Sequence, residues 1–221
     1  MKYKLGESKN FDGVTLYRVV ATEDFGSVRK GDIGGFVQSA NNLSQHGLAW
    51  VYDDARVTGD AQVGEDACVS QDACVSGRAY LGGSAIVSER AYVGGRAIVS
   101  ERAYVGGRAI VSGAARVEGN ACVEGNACVS EMACVDGGTH IGGRAYVTGD
   151  NIVTVSNIGS RNATLTATTD KSGQILLFAG CFSGTIDQFI AAVKKKHAGT
   201  VHERNYMAAI EFIKVRLSKM E

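Results

Sequence analysis

The sequence predicts a mainly β protein: a parallel solenoid of very short strands over residues 49–150, preceded by a β cap (1–48) and followed by a small α+β domain (151–221). Three observations lead there. Alanine recurs every six residues from Ala49 to Ala145, with Thr139 the one substitution, and an aliphatic residue follows two positions later, from Val51 to Val147. The chain holds 29 glycines and no proline, and the glycines recur at a fixed place in the repeat. Beyond Asp150 the period dissolves and other spacings take over.

The repeat comprises 17 consecutive hexads, in which Leu81 and Ile141 alone replace valine. Side chains alternate across a strand, so the alanine and the aliphatic residue share one face and the residue between them points the other way. Most hexads then carry glycine at the turn, for example Gly77, Gly95, Gly107 and Gly125, where the chain needs a positive φ. Short strands with a corner every six residues wrap into a coil whose interior is valine and alanine.

The pattern of an aliphatic residue, a small or acidic one, two free positions, a small one and a free one, as in Val63-Gly64-Glu65-Asp66-Ala67-Cys68, resembles the hexapeptide-repeat family. That resemblance implies a left-handed parallel β-helix, triangular in section, with three hexads (18 residues) per coil and frequent assembly as a homotrimer. The 17 hexads then make about 5.7 coils, roughly 27 Å long at ~4.8 Å per rung. A two-sided, 12-residue coil is the rival, because Ala85–Arg96 repeats at Ala97–Arg108. It would stack Glu89 on Glu101 and Arg90 on Arg102, whereas the 18-residue coil puts Glu89 between Gln71 and Gly107 and Glu101 between Gly83 and Gly119. Arg90 over Arg108 remains a like-charge contact, and the 18-residue coil is preferred.

A solenoid needs its open ends blocked. At the first end, Val14 to Ala21 reads as a strand, Thr22 to Phe25 as a turn, and Gly31-Asp-Ile-Gly-Gly-Phe36 as a lead-in. At the other, Ala163 to Thr169 and Gln174 to Phe178 read as a hairpin around Asp170-Lys-Ser-Gly173. Thr185-Ile-Asp-Gln188 is a capping box that opens a helix carrying Ile186, Phe189, Ile190 and Val193 on one face. Gly199 stops it, and a second helix runs over about Glu203 to Lys219. Both ends also resemble bacterial and phage Ala-x-Val repeat proteins, through Gly31-Asp-Ile-Gly-Gly-Phe-Val37, Asn41-Asn-Leu-Ser-Gln45, Gly159-Ser-Arg-Asn162 and Gly180-Cys-Phe-Ser-Gly-Thr185. This implies a phage or prophage origin.

Lysine plus arginine equals aspartate plus glutamate at 23 each, which excludes a global basic field for extended nucleic acid. The polar start, Met1-Lys2-Tyr3-Lys4-Leu5, reads as neither signal peptide nor membrane span, so a bacterial host cytosol and six free thiols are expected. Acyl transfer, which the resemblance raises, is disfavoured: the repeat has no insertion to form a cleft, and its one histidine, His140, occupies an outward position. No metal or cofactor is expected. His46, His140, His197 and His202 lie in different regions, while Cys122, Cys128 and Cys134, six apart, fall on successive faces and cannot share an ion within one subunit. Cys181 beside His197 is read as a small buried residue between strand and helix rather than a nucleophile with its base.

The outward positions Cys74, Tyr80, Ile86, Tyr92, Ile98, Tyr104 and Ile110 are apolar on all three faces, which predicts packing between subunits. Arginines beside them, Arg90 and Arg108 among others, would grip an anion between protomers. The turn Asn157-Ile-Gly-Ser-Arg-Asn162 offers Ser160, Arg161 and Asn162 as an anion cradle, with His197 and Tyr206 as a wall. The expected function is therefore non-catalytic: a homotrimer that binds or sequesters a small anionic or nucleotide-like molecule, in the manner of an anti-defence sponge. The alternatives are a virion or assembly component and a hexapeptide-repeat acyltransferase.

Overall fold

The computed structural model describes residues 1–218; the last residue of the expected second helix, Lys219, lies outside them. The core is a parallel β-solenoid of about six turns with strands of mostly two residues. Partners lie 18 residues apart, so three hexads make one coil and the 12-residue alternative is excluded. One face stacks Trp50, Cys68, Ile86, Tyr104, Cys122 and His140. The second stacks Arg56, Cys74, Tyr92, Ile110, Cys128 and Tyr146, and the third Gln62, Tyr80, Ile98, Arg116 and Cys134.

The inward alanines and valines are sealed from solvent along the whole column. Each buried valine contributes about 1.5 kcal/mol; the alanines leave room for valines of neighbouring strands. At the corners, glycine and a few acidic residues such as Glu89 and Glu101 take positive φ.

Two outward tyrosines, Tyr80 and Tyr104, are half-buried. Tyr104 lies flat across Gly106, two residues on, where any Cβ would overlap the phenol ring. Its hydroxyl meets Ser88 at 3.1 Å and donates to Glu89 at 3.2 Å. Tyr80 repeats this over Gly82, donating to Glu65 at 3.0 Å. Tyr92 lies over Gly94 in the same way yet stays 38% exposed, close to Ile86 and Ile110 at 42% and 43%.

In this ladder the outward residues donate their N–H groups to the carbonyls of the next coil, as Trp50 does to Ala67, while the valine N–H groups run back. Carbonyls of the first coil such as Ala49 and Ala61 therefore need donors from outside the repeat. Three devices fill them. On the second face, strand β3 (Ile33–Val37) joins the solenoid sheet in parallel, Phe36 opposite Arg56. The ladder thus begins before the Ala-x-Val period does. Strands β1 (Tyr3–Phe11) and β2 (Val14–Ala21) then extend that sheet antiparallel; β1 carries no clear signal in the sequence. On the third face the buried Asn42 amide donates to Gly59 and Ala61 at 2.9 and 2.8 Å. On the first face the buried Lys2 ammonium donates to Gly47 and Ala49 at 3.2 and 2.8 Å, and burial lowers its pKa to about 8. Trp50, at an outward position, is buried beneath this cap by Tyr3 and Phe25 in edge-on contacts.

At the far end the Ala145–Thr148 strand pairs antiparallel with Ala163–Asp170, which also pairs with Ile152–Ile158 and Ile175–Ala179; Phe182–Thr185 completes this sheet. The expected hairpin is present, flanked by two strands the sequence reading does not identify. Helix α1 (Ile186–His197) opens on the Thr185–Gln188 capping box, and helix α2 (Val201–Leu217) follows Gly199. Phe189, Val193, Ile210 and Ile213 pack on Leu165 and Leu177 to form a second core. Arg144 on the last coil pairs with Asp170 at 3.0 Å.

Replacing Asn42 by alanine, or Lys2 by methionine, is expected to lower unfolding stability by about 1–3 kcal/mol each, because carbonyls lose their donors. An unchanged denaturation midpoint in both variants would remove the capping role. Asp170 carries a pH signature. The Ser172 hydroxyl first, then the Gln174 and Ser172 amides and Arg144, hold its carboxyl below the usual range. Such a group stabilises the fold above its unfolded pKa of about 3.9 and ceases to do so as pH falls through the lower folded value. The melting-temperature gap between the natural chain and Asp170→Asn should therefore be full at neutral pH and close in acid below that unfolded pKa.

Candidate ligand-binding cleft

A cleft of about 250 Å³ opens in the C-terminal domain between the turn after Ile158, the Gly180–Cys181 turn and the two helices. It forms because the strand pair needs a reversal at residues 159–162, and α1 crosses that reversal with its last turn. Ile158, Phe182, Phe189 and Val193 make the floor, Phe182 and Phe189 meeting edge-on at 5.0 Å. Arg161, Lys196 and His197 stand at the rim. Lys196 and His197 come from the final turn of α1, where cations suit the helix dipole. Neither Arg161 nor Lys196 forms an ion pair among the described residues, and none of the residues lining the cleft is a carboxylate.

Tyr206 of α2 stands against Phe189 at 5.3 Å and His197 at 5.9 Å, and burial raises its phenol pKa. Gly159 makes this wall possible: it sits at φ +74°, and a Cβ there would fall on the Tyr206 hydroxyl. Behind His197, His202 lies 5.7 Å away ring to ring, its Nδ1 buried with no hydrogen-bond partner among the described residues.

Four of the seven residues singled out from sequence, Ser160, Arg161, His197 and Tyr206, thus line one cleft. Asn162 does not; it closes the turn by donating its N–H to the Gly159 carbonyl at 3.3 Å. Arg90 and Arg108 are exposed on a corner column of the solenoid, one coil apart, and do not line the cleft. Cys181 departs from expectation: it is exposed and lines the cleft, because Gly180 and Cys181 form the tight turn that joins Ile175–Ala179 to Phe182–Thr185. No hydrogen bond joins it to His197 among the described residues.

Two other places differ chemically. A polar groove of about 550 Å³ near the first coils is lined by Ser39, Asn41, Asp60, Glu65 and Tyr80, with carboxylates and little apolar floor. On the Trp50 face, Cys122, Glu124 and His140 place one ligand atom each within 4.8 Å of one another. His140 Nε2 lies 2.9 Å from Glu124, and burial, then Glu124, pushes the Cys122 thiol up to about 11. The three cysteines Cys122, Cys128 and Cys134 do occupy three different faces, as the hexad spacing requires. The signal for the mixed cluster is the 18-residue interval from Cys122 to His140, not six-residue spacing.

Compared with known proteins, the chain matches no protein-family model and no curated protein sequence.

Gly159→Ala is expected to cost about 1–3 kcal/mol through its positive φ and the displaced Tyr206 hydroxyl. In a Tyr206→Ala background the cost should shrink towards that of the backbone alone. Equal costs in both backgrounds, measured by thermal unfolding, would mean that the two residues do not meet.

Proposed function

We propose that this protein is a non-catalytic binding protein whose C-terminal cleft takes a small anionic, nucleotide-like molecule. The observation that carries this reading is the composition of the cleft: three potential cations at the rim, an aromatic and aliphatic floor, and no carboxylate among its described lining residues. Arginine and lysine suit phosphate oxygens, and aromatic walls suit a planar base. Its volume, below the roughly 300–1,000 Å³ usual for ligand pockets, suits a small molecule, or part of one, better than an extended chain.

The solenoid serves here as a rigid mount. Its apolar outward positions and the Arg90–Arg108 column support self-association as a homotrimer, in keeping with a left-handed hexapeptide-repeat coil. The lead-in and tail that resemble bacterial and phage proteins support a setting in which the ligand is a host signalling nucleotide that is sequestered rather than turned over.

Calorimetric titration with a panel of mononucleotides and cyclic dinucleotides, against inorganic phosphate, tests the reading. Binding should weaken roughly tenfold or more in Arg161→Ala, as expected for a charge-assisted hydrogen bond, and persist in Arg90→Ala. No binding by any member of the panel, or binding indifferent to Arg161 and Lys196, would sink it. Consumption of a bound nucleotide that stops in Cys181→Ser would replace it with an enzymatic one.

A further inference from the structure

We propose that Cys122, Glu124 and His140 form a zinc(II) site on the outer surface of the last two coils. The cluster arises from the ladder itself. Cys122 and His140 are register partners on adjacent coils of one sheet, with Val123 opposite Ile141 just beside them. Their Cα atoms are therefore set by paired backbone rather than by a loop. Glu124 follows two residues after Cys122, its N–H donating to the Ile141 carbonyl at 2.9 Å. This aims its carboxylate at the imidazole of the coil above.

Thiolate, imidazole and carboxylate are the three protein ligand types zinc accepts, and softer sulfur with nitrogen disfavours magnesium and calcium. The ligand atoms already lie within 4.8 Å of one another. A tetrahedral ion with bonds of about 2.0–2.3 Å sets its ligand atoms roughly 3.5 Å apart, so the sulfur closes in while the 2.9 Å His140–Glu124 contact opens and is replaced by metal bonds. Side-chain rotation supplies the difference, since Glu124 and His140 retain 48% and 29% side-chain exposure. On binding, the thiol proton leaves to solvent and sulfur forms the metal bond; thiolate and carboxylate then balance the dication. Water occupies the fourth position, on the open side.

Position adds a structural consequence. Phe178, from the C-terminal sheet, packs against the His140 ring at 5.8 Å and reaches Gly142 beside it. A metal that fixes the imidazole would tie the last coil to the one before it, and hold the surface on which the C-terminal domain rests. This inference is independent of the anion cleft.

Cobalt(II) titration of the full chain, metal-free at the start, reads the site directly. The expected result is one cobalt per chain, with a thiolate charge-transfer band in the near ultraviolet and tetrahedral bands in the visible, displaced by zinc. The charge-transfer band should vanish in Cys122→Ser and persist in Cys134→Ser, a cysteine on a different face. Glu124→Gln, an exposed change that leaves the ladder intact, should weaken binding by about tenfold or more. Zinc should also raise the melting temperature of the natural chain but not of Cys122→Ser. Absence of cobalt binding, an octahedral spectrum, or a band that survives Cys122→Ser and is lost in Cys134→Ser would each overturn the site. Should Cys122→Ser fail to fold, full-strength cobalt binding by Glu124→Gln would overturn it equally.

Discussion

In a parallel solenoid the main chain cannot satisfy itself. The outward N–H groups run to the next coil while the valine N–H groups run back, so an end coil is left with unpaired groups on every face. On the first coil these include carbonyls such as those of Ala49 and Ala61. All other features sit on this constraint. The interior of alanine and valine is generic; any coil could supply it. What is particular to this chain is how the ends are closed. Lys2, Asn42 and strand β3 each serve one face of the first coil, and they do so with an ammonium, an amide and a strand. A buried lysine is costly, yet two carbonyls and the Phe25 ring 4.9 Å away offset much of the desolvation.

The other end is closed by growth of the sheet rather than by single side chains. The C-terminal domain continues one of the three faces, then builds a second hydrophobic core with α1 and α2. Two cores in one chain separate the tasks. The solenoid core depends on a strict register, in which a strand slipped by one residue would turn its inward valine outward. The second core tolerates turns, exposed loops and a cleft, and that is where cationic side chains gather over an aromatic floor.

Register also makes chemistry between coils. Residues 18 apart become neighbours on adjacent coils, so each outward column is a vertical sequence of its own. One column reads Tyr104, Cys122, His140, and its lower and upper members differ in kind: the tyrosine lies across a glycine, while the cysteine and histidine converge with Glu124. Another brings Arg90 and Arg108 one above the other, both exposed, where solvent screens the repulsion.

Much of this was legible from the amino acids. The hexads, the inward alanines and valines, the positive-φ corners, strand β2, the hairpin around Asp170 and the Thr185 capping box all follow from spacing of two, six or 3.6 residues. Those periods are local physics, repeated often enough to override noise. Part of the cleft was legible too, since Ser160, Arg161, His197 and Tyr206 were singled out by residue type. Tertiary structure alone decided that these four share a wall while Asn162, Arg90 and Arg108 stand elsewhere, that Cys181 faces solvent, and that Lys2 and Asn42 cap the ladder. It also decided the meeting of Cys122, Glu124 and His140. Each of those outcomes depends on contacts between residues far apart in the chain, and single-residue propensity carries no information about which unpaired backbone group or which neighbouring coil a side chain will find.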